Sequence, residues 1–488
     1  MIRAFLFLLC VVLLGYLPEQ GDFALIAVLY GSAFLLYFWV VLEVERGALS
    51  GGQLLGQQRA FRFDLVPWMW VAVLARFALL WAMPNLSDDV YRFIWDGRLG
   101  AQGLDVFAHL PAWYMEEGHE VRGLTRELFE QLNSPEYFTI YPPVAQAVFR
   151  LGAWLFPESI YGSVLVLRIF LLLCELGSLY LLSLILRRLQ LPKERVLLYA
   201  LNPLVIVEIS GNLHFEGAMV FFFLLFVWAW LEARRGLAAL AMSLSIGAKL
   251  LPLMLLPLLA TRMWEASFWL RPQGPEAENE MAGGRAFRWR AVLWFLVLGF
   301  FLLLLFYPFM GPFFAQHFGE SLDLYFRRFE FNASVYYLLR WLRYLQLGYN
   351  DIHRLGPLLG LVVAAGILGM ALWSLRRRFL TMEEGVLFFL RQSLWAFVLY
   401  LGLATIVHPW YLAMPVLLAV FGGWRFPLWW SYAITWTYIN YSYPVYRENL
   451  WVVGLEYSSV LLFMLWEWQR QKKEAKAGAP APDKHLKP

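Results

Sequence analysis

Long apolar stretches, separated by short polar connections, set the pattern of this chain. The runs fall at about 3–17, 23–43, 64–83, 162–186, 194–211, 217–232, 236–249, 250–262, 291–308, 355–375, 386–407, 410–424, 427–441 and 451–467. A helix needs about 20 apolar residues to cross a bilayer. The pattern therefore predicts an all-α, polytopic membrane protein with about fourteen transmembrane helices. Cytoplasmic connections carry the excess of Lys and Arg. With the N-terminus inside, the basic residues alternate as that rule asks: Arg46, Arg59 and Arg62; Arg187, Arg188, Lys193 and Arg195; Arg234 and Arg235; Arg271, Arg285, Arg288 and Arg290; Arg376, Arg377 and Arg378; and the tail "QRQKKEAK". Both termini then lie in the cytoplasm. The segments 84–161, 210–217, 309–354, 408–411 and 440–449 lie outside.

The chain divides into an N-terminal pair of spans (1–63), a membrane domain (64–468) and a disordered basic tail (469–488). The first run has a basic end and an apolar core but no small-residue cleavage site, so it reads as a retained span. In the large outer loop 84–161, "AWYMEEGHEVRGLTRELFEQL" has apolar residues at helical spacing and predicts an amphipathic helix along the interface. "YPPVAQAVFRLGAWLFP" predicts a second juxtamembrane helix, with Pro142 and Pro143 at its first turn. No internal repeat is visible, which argues against a transporter of inverted halves.

Composition agrees with lipid. Hydrophobic residues make up 60% and charged residues 16%, against about 25% charged in soluble domains. Aromatics reach 18%, with 24 Trp, which suits interfacial belts. A net charge of +4 implies no nucleic-acid partner. Cys10 and Cys174 sit in separate apolar runs and read as packing residues.

Polar residues with chemical potential gather in the outer segments. Asp88 and Asp89, in "SDDVYRFIWDGRL", are neighbouring carboxylates, so one should titrate high enough to serve as a general base. Ser87 and the acidic pair also suit a helix N-cap. Asp89, Arg92 and Asp96 share a helix face, either as a local ion-pair ladder or with Arg92 or Arg98 holding a phosphate. Asn212, His214 and Glu216 cluster at the outer end of a span, below which Glu208 lies within the run. Lys249 is the one lysine of seven outside the predicted cytoplasmic segments. His408, Trp410 and Tyr411 stand at another outer end, as an aromatic belt or as ligand contacts. Arg168 and Glu175, within one run, read as structural charges. No nucleotide-binding glycine loop, H-E-x-x-H or paired C-x-x-C occurs.

In order and sidedness, "SDDVYRFIWDGRL", "YPPVAQAVF", "LNPLVIVEISGNLHFEG", "GAKLLPLMLLP" and "HPWYLAMP" resemble the GT-C superfamily of integral-membrane glycosyltransferases. The likeness spans about residues 64–445 and is to bacterial and PIG-M-like mannosyltransferases that use polyprenyl-phosphate sugars. It implies an inverting transfer of a hexose, mannose in the first instance, from a polyprenyl-phosphate donor to a hydroxyl on a lipid-linked, glycan or protein acceptor at the extracytoplasmic face of the cell membrane. Asp88 or Asp89 would be the base, Asp88 matching the first acid of the family's pair. Arg92, Arg98, Lys249 and His408 would hold the donor phosphate. Asp96, Tyr141, Asn212, His214, Glu216, Trp410 and Tyr411 would contact substrate. No metal is required, although Asp88, Asp89 and Glu216 could hold Mg2+ or Mn2+. The chain has two spans ahead of the one carrying the acidic pair, and it has no large soluble C-terminal domain, the latter pointing to a small or lipid-linked acceptor. Two other readings stay open: a transporter or flippase of lipid-linked sugars, and an O-antigen ligase-type transferase using Arg327, Arg328 and Arg343.

Overall fold

Helices form the regular structure, joined by a single isolated parallel bridge between Phe331 and Ile406 among the described residues. The computed structural model describes residues 1–50, 64–265, 268–269 and 284–477. The protein is an all-α, polytopic membrane protein. By length and apolarity six described helices can cross a bilayer, or seven if one sharply bent pair counts as a single span. The remaining apolar runs form shorter helices, and the sequence explains why. Pro252 and Pro257 divide 250–262 into a 3-10 turn, Leu251–Leu255, and a helix, Leu256–Met263. Pro409 likewise opens a 3-10 turn, Pro409–Leu412, ahead of the helix Ala413–Phe421.

Helices α1 (Ile2–Tyr16), α2 (Phe23–Ser50) and α3 (Leu65–Ala78) pack together at the start of the chain. Helix α4 (Asp89–Ala101) follows the acidic pair and packs on α5 (Pro143–Leu155). Gly97 makes this approach feasible: a Cβ there would lie 2.4 Å from the Phe149 carbonyl oxygen. Pro143 occupies the first turn of α5, as expected. The amphipathic helix expected before it does not form. That stretch folds as a 3-10 turn, Pro111–Met115, and a single helical turn, Arg126–Glu130. Gly118 and Gly123, at φ of 88° and 85°, reverse the chain between them.

Helix α6 (Ile160–Arg188) is the longest described helix, at 29 residues. Next comes a span broken in the middle. The limb ends in a π-helical turn, Ile206–Gly211, and α7 (Glu216–Leu231) leaves at 112° to it. Leu213, at φ 66°, sits at the corner. Arg168 stabilises this corner, donating to the carbonyls of Leu79 (2.9 Å), Ala82 (2.7 Å), Gly211 (3.1 Å) and Ser210. Glu175 pairs instead with Arg76 at 2.8 Å and accepts from the Tyr199 hydroxyl at 2.7 Å. Arg168 and Glu175 are thus both structural, with separate partners. Helix α8 (Arg235–Ala248) packs along α7 and ends at Lys249, whose extended backbone stops the helix.

Charged contacts divide the bundle into two ends. At one, Arg188 meets Glu383 (2.7 Å), Arg425 meets Glu45 (2.6 Å) and Arg262 meets Glu265 (2.9 Å). At the other, the α3–α4 junction, the loop before α5, Lys249 and segments 321–331, 406–411 and 441–446 converge on one cavity. Arg59, Arg62, Arg271 and the side chains of Arg285 and Arg288 lie outside the described residues. The last helix, Leu450–Ala477, extends into the segment expected to be a disordered tail, and 478–488 lies outside the described residues.

Candidate active site

The cavity at the convergent end has a volume of about 460 Å³. Asp88 and Asp89 sit on its wall where the chain turns from α3 into α4. Asp88 is the N-cap residue by position, yet its side chain makes no capping bond. The Ser87 hydroxyl accepts from the Asp89 amide instead, at 3.4 Å. The acidic side chains are therefore available to the cavity. Asn133, from the loop before α5, donates one Nδ2 hydrogen to Oδ1 of each aspartate, both at 2.8 Å. Tyr141 donates to Asp89 Oδ2 at 3.1 Å. Asp88 Oδ2 has no side-chain partner among the described residues. Burial, and then the charge of Asp89, push the Asp88 carboxyl above its ordinary range, partly offset by the Asn133 bond.

Lys249 lines the same cavity, its ammonium 5.3 Å from the centre of the Tyr141 ring. It forms an ion pair with Glu216 at 3.1 Å, and the Glu216 side chain is fully buried. His408, Trp410 and Tyr411 line the cavity as well. His408 stacks on Trp410 at 4.4 Å and on Phe331 at 4.6 Å. Burial pulls its pKa down to about 3, so it meets a ligand as a neutral hydrogen-bonding ring and not as the cation expected for a phosphate site. Aromatic rings from Tyr137, Phe138, Phe329, Phe331, Tyr441 and Tyr446 complete the wall.

Other expected contacts lie elsewhere. Arg92 reaches the cavity, but it donates to Asp96 (2.8 Å) and to the carbonyls of Ser134 (3.1 Å) and Tyr137 (2.8 Å). It ties the Asn133 loop to α4. Asp96 is buried between Arg92 and Gln146 and does not line the cavity. Arg98 points away, to the carbonyls of Gly123 and Glu158. Six residues turn an α-helix by about 240° beyond a full circle, which takes Arg98 off the face of Arg92. Asn212, His214 and Glu216 stand one layer behind the wall, each at most 1% exposed. Asn212 accepts from the Leu86 amide at 3.2 Å and so steadies the acidic turn. His214 stacks on Trp410 at 3.6 Å. Arg327 and Arg343 pair with Asp323 and Asp351, and neither lines the cavity, nor does Arg328.

Sequence reasoning missed Asn133 and Glu330. The first sits in "QLNSPEY", which reads only as a turn; the second follows a helix end with no periodic signal. Glu330 lines the cavity and accepts from Asn350 at 2.6 Å. No group of three His, Cys, Asp or Glu poised for a metal occurs among the described residues. Glu216, the third carboxylate expected in such a set, is committed to Lys249.

A sequence profile described as "Alpha-(1->6)-mannopyranosyltransferase, N-terminal domain" matches residues 10–265. That stretch holds the acidic pair, the broken span and Lys249, but not His408 or Trp410. Over 200 residues the chain is 26% identical to Alpha-(1->6)-mannopyranosyltransferase B of Corynebacterium glutamicum. The match covers 40% of this chain and 32% of that protein, so the chain spans about a third of the relative's length. No solved structure matches the chain. Since the profile takes in more than half of the 488 residues, the chain belongs to the alpha-(1->6)-mannopyranosyltransferase N-terminal-domain family.

Proposed function

We propose that this protein transfers a mannosyl residue from a polyprenyl-phosphate donor to an acceptor hydroxyl, forming an α-1,6 bond at the extracytoplasmic face of the membrane. One observation carries the reading: in a member of a mannopyranosyltransferase family, the tandem carboxylates and Lys249 face one aromatic-lined cavity. Asp88 is the base. Its raised pKa and unengaged Oδ2 suit it to take the proton of the acceptor hydroxyl. The acceptor oxygen attacks the anomeric carbon and the bond from that carbon to the phosphate oxygen breaks. The lipid phosphate leaves with the electron pair, and Lys249 receives the negative charge. A single displacement inverts the centre, so an α product requires a sugar β-linked to the lipid phosphate. Aromatic faces such as Trp410 bind the apolar face of the sugar, and the neutral His408 supplies a hydrogen bond.

In this reading the two limbs of the bent pair and the short apolar helices each count as passes and bring the total to about fourteen. The end of the bundle with Arg188, Arg262 and Arg425 then faces the cytoplasm, by the bias of basic residues to that side. The test is transfer by purified protein from a panel of radiolabelled polyprenyl-phosphate sugars to a membrane extract. Label should appear from the mannosyl donor, in a product cleaved by an α-1,6-mannosidase. Asp88→Asn should keep donor binding while turnover falls by about 10²–10⁴-fold. Transfer from a different sugar donor alone, or full turnover in Asp88→Asn, would overturn the proposal.

A further inference from the structure

Glu208 lies behind the cavity wall, 1% exposed, in the π-helical turn Ile206–Gly211. Its Oε1 accepts from the hydroxyls of Tyr438 (2.6 Å) and Tyr30 (3.3 Å), and its Oε2 from Asn212 Nδ2 (3.2 Å). The Nε2 of His214 is 3.3 Å from the same Oε2. On the other edge of that imidazole, Nδ1 is 3.9 Å from Asp89 Oδ2. Trp410 covers the ring face at 3.6 Å. An imidazole thus lies between an enclosed carboxylate and a cavity carboxylate at ion-pair distances, its face covered by Trp410 and its Nε2 without a hydrogen bond.

The backbone here is unusual in two respects. A π turn holds an extra residue per turn and is common where side chains must be re-aimed at a functional site. Leu213 is a non-glycine residue in the left-handed region, at φ 66°, a conformation retained where the surroundings enforce it. Together they put Glu208, Asn212 and His214 on one side of the corner.

We propose that Glu208 is a positioning residue for the transfer reaction, acting through His214 on Asp89; this rests on the function proposed above. Glu208 attracts the Nε2 edge of the His214 ring by charge, which turns the Nδ1 edge towards Asp89; in its imidazolium form the ring carries N–H on both edges, as each carboxylate requires. Asp89 shares the Asn133 side chain with Asp88, so the same contact sets the position of both carboxylates. The 3.9 Å separation closes when substrate fills the cavity, as catalytic hydrogen bonds commonly do. The titratable neighbours of His214 are Asp88, Asp89, Glu208 and, across the Trp410 stack, the neutral His408.

The test compares Glu208→Gln, His214→Gln and the double variant. Glutamine keeps the acceptor for Tyr30 and Tyr438 and removes the charge that orients His214. Each single variant should lower kcat by about 10- to 100-fold, the scale of a displacement of about 1 Å, with donor KM within about twofold. The double variant should be no slower than His214→Gln alone, because Glu208 acts through that ring. Multiplying effects would mean that Glu208 only braces the fold, and would overturn the proposal. A second measurement does not depend on activity: solid-state NMR of the full chain with 15N-labelled histidine, the His214 signals assigned by their loss in His214→Gln. Glu208→Gln should shift the Nε2 signal and Asp89→Asn the Nδ1 signal. If neither moves, the coupling is wrong. If the wild type transfers no mannose, the functional reading fails, and the NMR result still decides the coupling.

Discussion

Removal of the Lys249 ammonium tests the electrostatics of the site and of the fold separately. Lys249→Met leaves Glu216 with a full charge, no solvent and no other ion partner among the described residues. With an effective dielectric of about 20, opposite unit charges 3.1 Å apart attract by about 5 kcal/mol. Breaking a buried pair by deleting one partner costs about 3–5 kcal/mol. Lys249 keeps 16% of its side chain open to the cavity, so a loss near 3 kcal/mol is expected, read as a drop of several degrees in apparent Tm in detergent. The double variant Lys249→Met, Glu216→Gln removes the orphaned charge and should restore most of that Tm. Donor KM should stay raised in both variants, because the phosphate has lost its cation. Recovery of KM along with Tm would refute a direct role of Lys249 at the phosphate. An unchanged Tm in the single variant would refute the coupling to Glu216.

Asn133→Ala removes a bond that holds the Asp88 pKa down, so that pKa should rise further. A base must be ionised, so the acid limb of the kcat/KM profile should move to higher pH, with the plateau least affected. Gly97→Ala drives a methyl group into the Phe149 carbonyl, 2.4 Å away. It should cost about 1–3 kcal/mol of stability and loosen α4 from α5, as seen in apparent Tm and protease sensitivity. Arg98→Gln breaks backbone contacts remote from the cavity, so it should lower Tm while leaving donor KM within about twofold; a tenfold rise in KM would restore Arg98 to the phosphate site.

The apolar runs and the alternation of basic residues made the helical character legible and brought Asp88, Asp89, Tyr141, Lys249, His408, Trp410 and Tyr411 to one end before any coordinates. What failed did so for local or three-dimensional reasons. Two glycines with positive φ divide a stretch whose spacing suggested an amphipathic helix. Arg92 and Arg98 look alike on paper but project from different sides of α4. His214 and Glu216 share the bend between two helical limbs with the cavity, yet spacing along a chain does not encode depth, and both lie behind its wall. Asn133 comes from an aperiodic loop, and its significance lies wholly in what it touches.

The Arg168 clamp bears on how the chain is assembled. Among the described residues no carboxylate reaches this buried guanidinium; four carbonyls from the turn after α3 and from the π turn receive it. An unmatched guanidinium is costly in hydrocarbon. A nascent chain that has released α6 but not yet the bend at Ser210 and Gly211 carries that liability into the insertion machinery. Docking of the bend discharges it, so the corner behind the cavity is completed by the same event that satisfies the buried charge.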